Sequence, residues 1–508
     1  MNIKLLLAPD FIPRTKFALP PMGIASISAM LRSDGHKVEQ DDLDIKSRNI
    51  ELSVFSRTDE IERYLLKNSS FPELEHTLDS LLNLTRTKGF DVFGLSVAEP
   101  SHLVAALCLA KRIKDLTKAI IVIGGRVSIS QSLLRYGFID YVITGDAEHS
   151  FSSLLRCLEG KSSLQNVPGL AYRDTAVKQN PVVQSDLESI PAPDFEGLPI
   201  ELYCHNAFDT VDPYYETYNK PFPLGSDSKV LMLPYLLTKG CSFSCSFCGV
   251  SASKKQSILY KSAEKIAAEL DSLKKKYRTR YFFLMDSTLN CSYKWLEDVC
   301  GKISSADILW SDSATPMHFP AGLLRKMRSA GCVRLTWGVE SLSDPILKKM
   351  SKPFTAEIAK STLKDSHDAG IWNYTNWVAG FPHETESMLN ETLANIRTSK
   401  AWIDDYTVTG FILQQSEIYN SPQKYCINIG AKSSYLDSAK DRMETDSFDE
   451  IGGLSWKDKQ KQIDDFRRRM VAALGNSLNP LPMHTVFYLY DKFHDKESVL
   501  SWLRSIGL

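Results

Sequence analysis

Apolar and polar positions over the first 160 residues switch between a strand period and a helix period. Runs at 3–9 (IKLLLAP), 36–44 (HKVEQDDLD), 90–97 (FDVFGLSV), 119–125 (AIIVIGG) and 141–146 (YVITGD) read as strands. Helical spacing fills the gaps: 24–31, closed by Asp34-Gly35; one long polar-faced helix within 59–85; then 102–116 and 147–159. Strand–helix alternation at this spacing predicts an α/β fold with a doubly wound, Rossmann-like parallel sheet. Ligands of such sheets bind beyond the carboxyl ends of the strands, where residues 98–101 and 124–128 fall.

Periodicity fades over 161–228. Prolines recur there (Pro168, Pro191, Pro193, Pro199, Pro213, Pro221, Pro223), so this stretch reads as a linker with a small hairpin at 170–174. A second alternating region follows. Its strands are expected at 229–240, 280–286, 308–314, 334–340, 373–380 and 406–414, with helices at 262–276, 292–303, 320–329, 355–368 and 384–398. Six βα units within 229–415 predict a partial (βα)6 barrel, because a closed eight-unit barrel takes about 250 residues. From 416 to 508 the chain reads as a small, mostly helical domain with helices at 456–474 and 495–506. The expected division is therefore 1–160, 161–228, 229–415 and 416–508.

Composition narrows the classes. In 508 residues, 43% are hydrophobic and 24% charged, enough apolar surface for several cores and too much for a disordered chain. Sixty basic against sixty-one acidic residues give a net charge of −1, which supplies no electrostatic case for nucleic acid or an anionic membrane. No window approaches the ~18 apolar residues of a membrane span, so no membrane insertion is expected. The start, MNIKLLLAPDFIPR, is interrupted by Asp10 and Arg14 too soon for a secretory signal. Ten cysteines are too sparse for a disulfide scaffold, which suggests a reducing cytoplasm. Three of them fall within eight residues.

Those three form Thr238-Lys-Gly240-Cys241-Ser-Phe-Ser-Cys245-Ser-Phe247-Cys248-Gly249, a C-x3-C-x2-C just after the first strand of the barrel-like region. Three thiolates can hold three irons of a [4Fe–4S] cluster and leave the fourth iron open to a ligand. Zinc would need a fourth ligand, and only Cys204, His205 and Cys291 lie near in sequence. Three core cysteines would not ordinarily occupy a Gly/Ser-rich loop.

C-x3-C-x-aromatic-C after the first strand of a partial barrel resembles the radical S-adenosylmethionine (radical SAM) enzymes. The likeness continues through Gly338-Val-Glu340-Ser341 and Gly380-Phe-Pro382-His-Glu384-Thr385, each at the end of a later strand. It implies that Cys241, Cys245 and Cys248 ligate the cluster. It places Phe247 near the adenine, gives Glu340 the ribose hydroxyls, and sets the turn at Gly380 and Pro382 against the adenine. Many members hold the methionine amino group with a glycine-rich acidic motif after the second strand. Here that place reads Leu284-Met-Asp286-Ser-Thr288, without the glycines, which leaves Asp286 as the candidate. Taken singly, Glu340 also suits a helix cap, Gly380-Phe-Pro382 a plain turn, and Asp286 an N-cap.

In that setting the N-terminal region resembles a cobalamin-binding domain. The likeness rests on Leu19-Pro-Pro21-Met-Gly23-Ile24, Leu31-Arg-Ser-Asp-Gly35-His36-Lys-Val38, Gly94-Leu-Ser96-Val97, Gly124-Gly125-Arg126 and Tyr141-Val-Ile-Thr-Gly145-Asp146-Ala-Glu148. It implies cofactor contacts at Pro21, Gly23, Ser96, Gly124, Gly125 and Gly145. The Asp-x-His-x-x-Gly motif, by which many such domains ligate cobalt, is absent, and His36 before its strand reads as a packing or capping residue.

The resemblance implies a cobalamin-dependent radical SAM C-methyltransferase with three cofactors: a [4Fe–4S] cluster, S-adenosyl-L-methionine and cobalamin. Its substrate would be a small molecule or a peptide with an unactivated carbon, and its electrons would come from a flavodoxin or ferredoxin. Two other readings stay open: a rearrangement, cyclisation or oxidation using the same cofactors, and a non-catalytic metal-stabilised binding module. No residue stands out as a catalytic acid or base, and no second cysteine cluster follows the barrel.

Overall fold

The computed structural model describes residues 1–11, 18–67, 69–125, 130–207, 229–250, 257–414, 416–430, 447–474 and 481–506. They divide into two compact units, one spanning Met1–Tyr203 and one running from Cys204 onward.

The first unit is built on β1 (Asn2–Leu7), β2 (Lys37–Asp42), β3 (Val92–Val97), β4 (Ile120–Gly125), β5 (Tyr141–Thr144), β6 (Leu170–Arg173) and β7 (Val177–Gln179). Among the described residues they form one sheet, ordered β2-β1-β3-β4-β5-β6-β7. The first five strands are parallel, as the alternation predicts. β3 is buried along nearly its whole length, and the helix His102–Leu116 buries residues 102–110 without a break. Both belong to a core that helices cover on each face.

Two differences from the sequence reading have clear causes. The long helix expected within 59–85 is two helices, Thr58–Lys67 and Pro72–Leu82, because Pro72 starts a helix well but cannot continue one. The hairpin at 170–174 is not isolated in a linker: β6 pairs antiparallel with β5 and extends the sheet. Residues up to Tyr203 stay with this unit through polar anchors. Gln40 Nε2 donates to the Asp194 carbonyl at 2.6 Å, and the Tyr203 hydroxyl donates to Asp42 at 2.7 Å. The rest of the expected linker, 208–228, lies outside the described residues.

The second unit opens with β8 (Cys204–Asn206), antiparallel to β9 (Lys229–Tyr235). After β9 a short ribbon pairs β10 (Thr238–Lys239) with β11 (Leu259–Tyr260). Then come β12 (Tyr281–Leu284), β13 (Leu309–Ala314), β14 (Cys332–Glu340), β15 (Trp372–Ala379) and β16 (Asp405–Gly410). The sheet order is β16-β15-β14-β13-β12-β9-β8, with parallel pairing from β9 to β16 and helices between consecutive strands. This is the six-strand half-barrel predicted from the spacing. Burial alternates along β14: Leu335, Trp337 and Val339 are fully buried, whereas Thr336, Gly338 and Glu340 are only half-buried and line the open face.

The helix Trp456–Leu474 packs on the helix Glu386–Ser399 and on β15 and β16. The helix Met483–Phe493, which the sequence reading left unassigned, packs across β9, β13 and β14. Its polar anchor is Asp491, which accepts from the Tyr281 hydroxyl at 2.6 Å.

Candidate functional site

The cysteine loop leaves the carboxyl end of β9, the edge where barrel sites are built. Its first turn is fixed by one carboxylate: Oδ1 of Asp286 accepts the backbone N–H groups of Leu237 and Thr238, both at 2.9 Å. Gly240 then takes φ +99°, a conformation that costs a residue with a Cβ. Cys241, Cys245 and Cys248 follow, outside any disulfide and half-buried. Ser246 pins the middle of the loop. Its N–H donates to the Met350 carbonyl at 3.0 Å, its hydroxyl donates to the Lys349 carbonyl at 3.2 Å, and its carbonyl accepts from Ile418 N at 3.1 Å. Among the described residues no three His, Cys, Asp or Glu side chains converge as the ligands of one metal ion would. Three thiols spread along an anchored, partly exposed loop suit the corners of a larger cluster.

Cys291, on the turn Leu289–Cys291 after β12, comes up beside the loop, with Ser242 Oγ 3.6 Å from its sulfur. Its thiol also neighbours Cys241, and with burial it holds the Cys241 pKa above the usual thiol range.

Glu340 ends β14 at a register shift against β15 and has φ +63°, an uncommon conformation for a non-glycine residue. Its carboxylate does not cap a helix. Oε1 meets the ammonium of Lys352 at 3.1 Å, and the same ammonium donates to the Gly338 carbonyl at 3.0 Å. Lys352 is 6% exposed and stands 5.5 Å from the centre of the Phe247 ring. Its charge also acts on Cys245, whose thiol burial pushes up and Lys352 pulls down. Phe247, Glu340, Lys352 and Cys245 therefore share one neighbourhood at the carboxyl end of the half-barrel.

The turn after β15 joins them, with the Phe247 and Phe381 rings edge to face at 6.4 Å. Gly380 adopts φ +87°, and a Cβ there would lie 2.7 Å from Cδ1 of Ile463 on the helix Trp456–Leu474. Its N–H donates to Glu384 Oε2 at 2.7 Å, and Lys459 donates to the Phe381 carbonyl at 3.2 Å. Pro382 is buried within this turn. Burial raises the Glu384 pKa to about 7.

Asp286 is built into the foundation of the loop. Burial raises its pKa to about 7, and the buried Asp312 of β13 is its acidic neighbour and hydrogen-bond partner.

In the first unit, Ser96, Gly124, Gly125 and Gly145 lie at or just past the carboxyl ends of the parallel strands β3, β4 and β5, with Ser96 paired to Gly124. Pro21 caps the helix Met22–Ser33, and Gly23 in its first turn has open space where a side chain would be. A Cβ on Gly125 would lie 2.0 Å from the Val97 carbonyl oxygen, so only glycine fits there. Gly145 has φ +83°. In the turn after β3 the Ser101 hydroxyl is buried with no hydrogen-bond partner, leaving polar capacity at the edge where a ligand would bind. Residues 126–128 of the expected loop lie outside the described residues. His36 sits at the opposite, amino end of β2, its Nδ1 3.3 Å from the Met1 amino group. It is placed for packing, as the sequence suggests.

Sequence reasoning missed Lys352, Lys459 and Ile463, and weighed Cys291 only as a nearby fourth ligand for zinc. Lys352 lies in an ordinary basic stretch, KKMSK, and only the fold gives it Glu340 as a partner.

Comparison with known proteins finds a family match in each of the two alternating regions. Residues 235–396 match the radical SAM superfamily and residues 12–155 the B12 binding domain. An uncharacterized methyltransferase of Pyrococcus horikoshii is 25% identical over 326 residues, covering 62% of this chain and 65% of the relative. An anaerobic magnesium-protoporphyrin IX monomethyl ester cyclase of a Synechocystis strain is 22% identical over 374 residues, covering 72% and 66%. The chain thus spans about two thirds of the length of these relatives. The fold is shared with the radical SAM methyltransferase TsrM of Kitasatospora setae, at a TM-score of 0.63 and 14% identity over the whole of both chains. The chain is a radical SAM enzyme with a B12-binding domain ahead of its radical SAM domain, and methyltransferases stand among its sequence relatives. The two domains imply a [4Fe–4S] cluster, S-adenosylmethionine and cobalamin. No described helix is long and apolar enough to cross a membrane.

Proposed function

We propose that this protein is a cobalamin-dependent radical SAM C-methyltransferase acting on an unactivated carbon of a natural-product or peptide substrate. The observation that carries the reading is the meeting of the cysteine loop with Phe247 and the Glu340–Lys352 pair at the carboxyl end of the half-barrel. A structural metal module needs no such carboxylate and cation beside its thiols.

Cys241, Cys245 and Cys248 would hold the cluster, and residues 1–160 would hold cobalamin through Pro21, Gly23, Ser96, Gly124, Gly125 and Gly145. Bound there, the three cofactors supply one-electron cleavage of a sulfonium and a transferable methyl group. The chain's own work is to bind and orient. Glu340 accepts hydrogen bonds from the ribose hydroxyls, and Lys352 holds that carboxylate in place and offers the cofactor's carboxylate a cation. Phe247 and the Gly380–Pro382 turn present a flat apolar surface to the adenine. Asp286 anchors the cluster loop and is the candidate for the methionine amino group. Residues 229–415 form this catalytic barrel, 416–508 its helical support, and 161–228 the connection from the first domain. A flavodoxin or ferredoxin would supply electrons in a reducing cytoplasm.

The relative named as a cyclase favours a second reading, in which the same cofactors serve a ring closure without methyl transfer. Counting S-adenosylhomocysteine against 5′-deoxyadenosine under anaerobic turnover separates the two. Methylation forms both products, whereas cyclisation leaves S-adenosylhomocysteine absent.

A further inference from the structure

The face of β14 that carries Glu340 also carries a buried cation with no carboxylate at ion-pair distance among the described residues. Arg334, on β14, points to the same face as Thr336, Gly338 and Glu340, one strand across from Tyr374. It is 7% exposed, and its guanidinium lies over the Tyr374 ring at 4.2 Å. Nη1 donates to the Thr336 hydroxyl at 3.0 Å, reaches the Ser311 hydroxyl at 3.4 Å, and touches the Met483 sulfur at 3.8 Å. Nε is buried with no partner.

Among the described residues no carboxylate lies within ion-pair distance of Arg334. The nearest acid by register is Asp405 of β16, opposite Tyr374. Its Oδ2 is already committed to Trp372 Nε1 at 2.8 Å and Leu481 N at 3.2 Å. The contrast within the same unit is sharp, because buried Lys352, Lys459 and Lys496 each have a carboxylate partner. A buried guanidinium held by two hydroxyls and a thioether carries a desolvation cost that Asp405, beyond ion-pair distance, offsets only in part. Its planar donor fork suits an oxyanion that accepts two hydrogen bonds at once.

Resting on the radical SAM reading above, we propose that Arg334 is the substrate-anchoring residue and that the substrate carries an anionic group, a carboxylate or a phosphonate, held at the floor of the half-barrel. The guanidinium binds this group through Nε and Nη2, and Thr336 and Tyr374 hold the fork in plane. The helix Met483–Phe493 closes the floor behind it, which fixes the depth to which the anionic end enters. The reactive carbon would then lie toward the carboxyl end of β14, where Glu340 and the cysteine loop stand.

Saturation-transfer NMR on the cluster-loaded full chain tests this with 3-phenylpropionate and phenylphosphonate as probes, each beside its methyl ester. The acids should bind and the esters should not, and the stronger acid names the anion. Binding of the preferred acid should fall about 10- to 100-fold in Arg334→Leu, the range expected for losing charge-assisted hydrogen bonds, and less in Arg334→Lys. Arg334→Gln replaces the leucine variant if the latter does not fold, judged by circular dichroism and iron content. Equal binding of acid and ester, or unchanged acid binding in a folded Arg334 variant, overturns the proposal. Iron content and 5′-deoxyadenosine formation in the same wild-type preparation report on the catalytic reading by itself. Acid-selective binding without cluster chemistry would refute only that reading, and cluster chemistry without acid selectivity would refute only the anion site.

Discussion

The ammonium of Lys352 stands 3.1 Å from Oε1 of Glu340, twelve residues back along the chain, and 3.0 Å from the Gly338 carbonyl. The pair holds a carboxylate whose own backbone is in the left-handed region, with φ +63°. Such conformations persist only where the surroundings over-determine them, and they cluster at functional sites. Glu340→Ala should weaken S-adenosylmethionine binding by about 1.5–3 kcal/mol, the size of hydrogen bonds lost from a charged acceptor. Lys352→Met should weaken it in the same direction, and iron content should stay that of the wild type in both. Isothermal titration under anaerobic conditions checks this. Wild-type affinity in Glu340→Ala would move the ribose contact elsewhere.

Replacing Cys241, Cys245 or Cys248 by Ala should abolish cluster assembly, read as iron per chain and as the cluster's visible absorption. Cys300→Ala and Cys332→Ala, both at fully buried positions, should keep full iron. Cys291→Ala should keep it too, because its sulfur sits against Cys241 and Ser242 rather than at a separate corner of the loop. A Cys245→Ala protein with four irons would refute the ligand assignment.

Gly380 is the most constrained backbone position of the site. An alanine there meets Ile463 at 2.7 Å and must also hold φ +87°. Gly380→Ala should cost about 2–4 kcal/mol in urea unfolding, part from the contact and part from the conformation. Adding Ile463→Ala should restore only the contact share. Full recovery in the double variant would show that the left-handed backbone carries no cost.

Glu384 gives the fold a pH dependence. Burial raises its pKa to about 7 in the native chain, against an ordinary value of 4.5. A carboxyl group raised in the native state favours folding while protonated, so its contribution is whole below pH 4.5 and is lost as pH rises through about 7. The loss over that window amounts to roughly 3 kcal/mol, at 1.36 kcal/mol per pKa unit. Glu384→Gln keeps an acceptor for the Gly380 N–H and removes the titration. Its midpoint temperature should therefore fall less than that of the wild type between pH 5 and pH 8. Parallel curves for the two proteins would remove Glu384 from the pH response.

Much of this site is legible in the sequence because its chemistry is local. Cys241, Cys245 and Cys248 declare themselves by spacing, and the six strands of the half-barrel show as apolar runs separated by helical periods. What the chain order hides is long-range. Lys352 reads as one more surface lysine until β14 and its bulge bring Glu340 to it. Asp286 reads as a free carboxylate until the fold commits Oδ1 to Leu237 and Thr238. The helix Met483–Phe493 was missed because its aromatic run, HTVFYLYDKF, carries weak helix preference. Its place is set by packing on β9, β13 and β14.

The central claim is that one chain joins S-adenosylmethionine, an iron–sulfur cluster and a corrinoid in methyl transfer. It can be tested without knowing the substrate. Full-length protein, reconstituted anaerobically with iron, sulfide and cobalamin, is reduced with a low-potential donor and given S-adenosylmethionine carrying a trideuterated methyl group. Mass spectrometry of the protein-bound corrinoid is the measurement. The account predicts a trideuteromethyl group on the corrinoid, with S-adenosylhomocysteine formed in equal amount. Protein that retains both cluster and corrinoid but leaves the corrinoid unlabelled would contradict it.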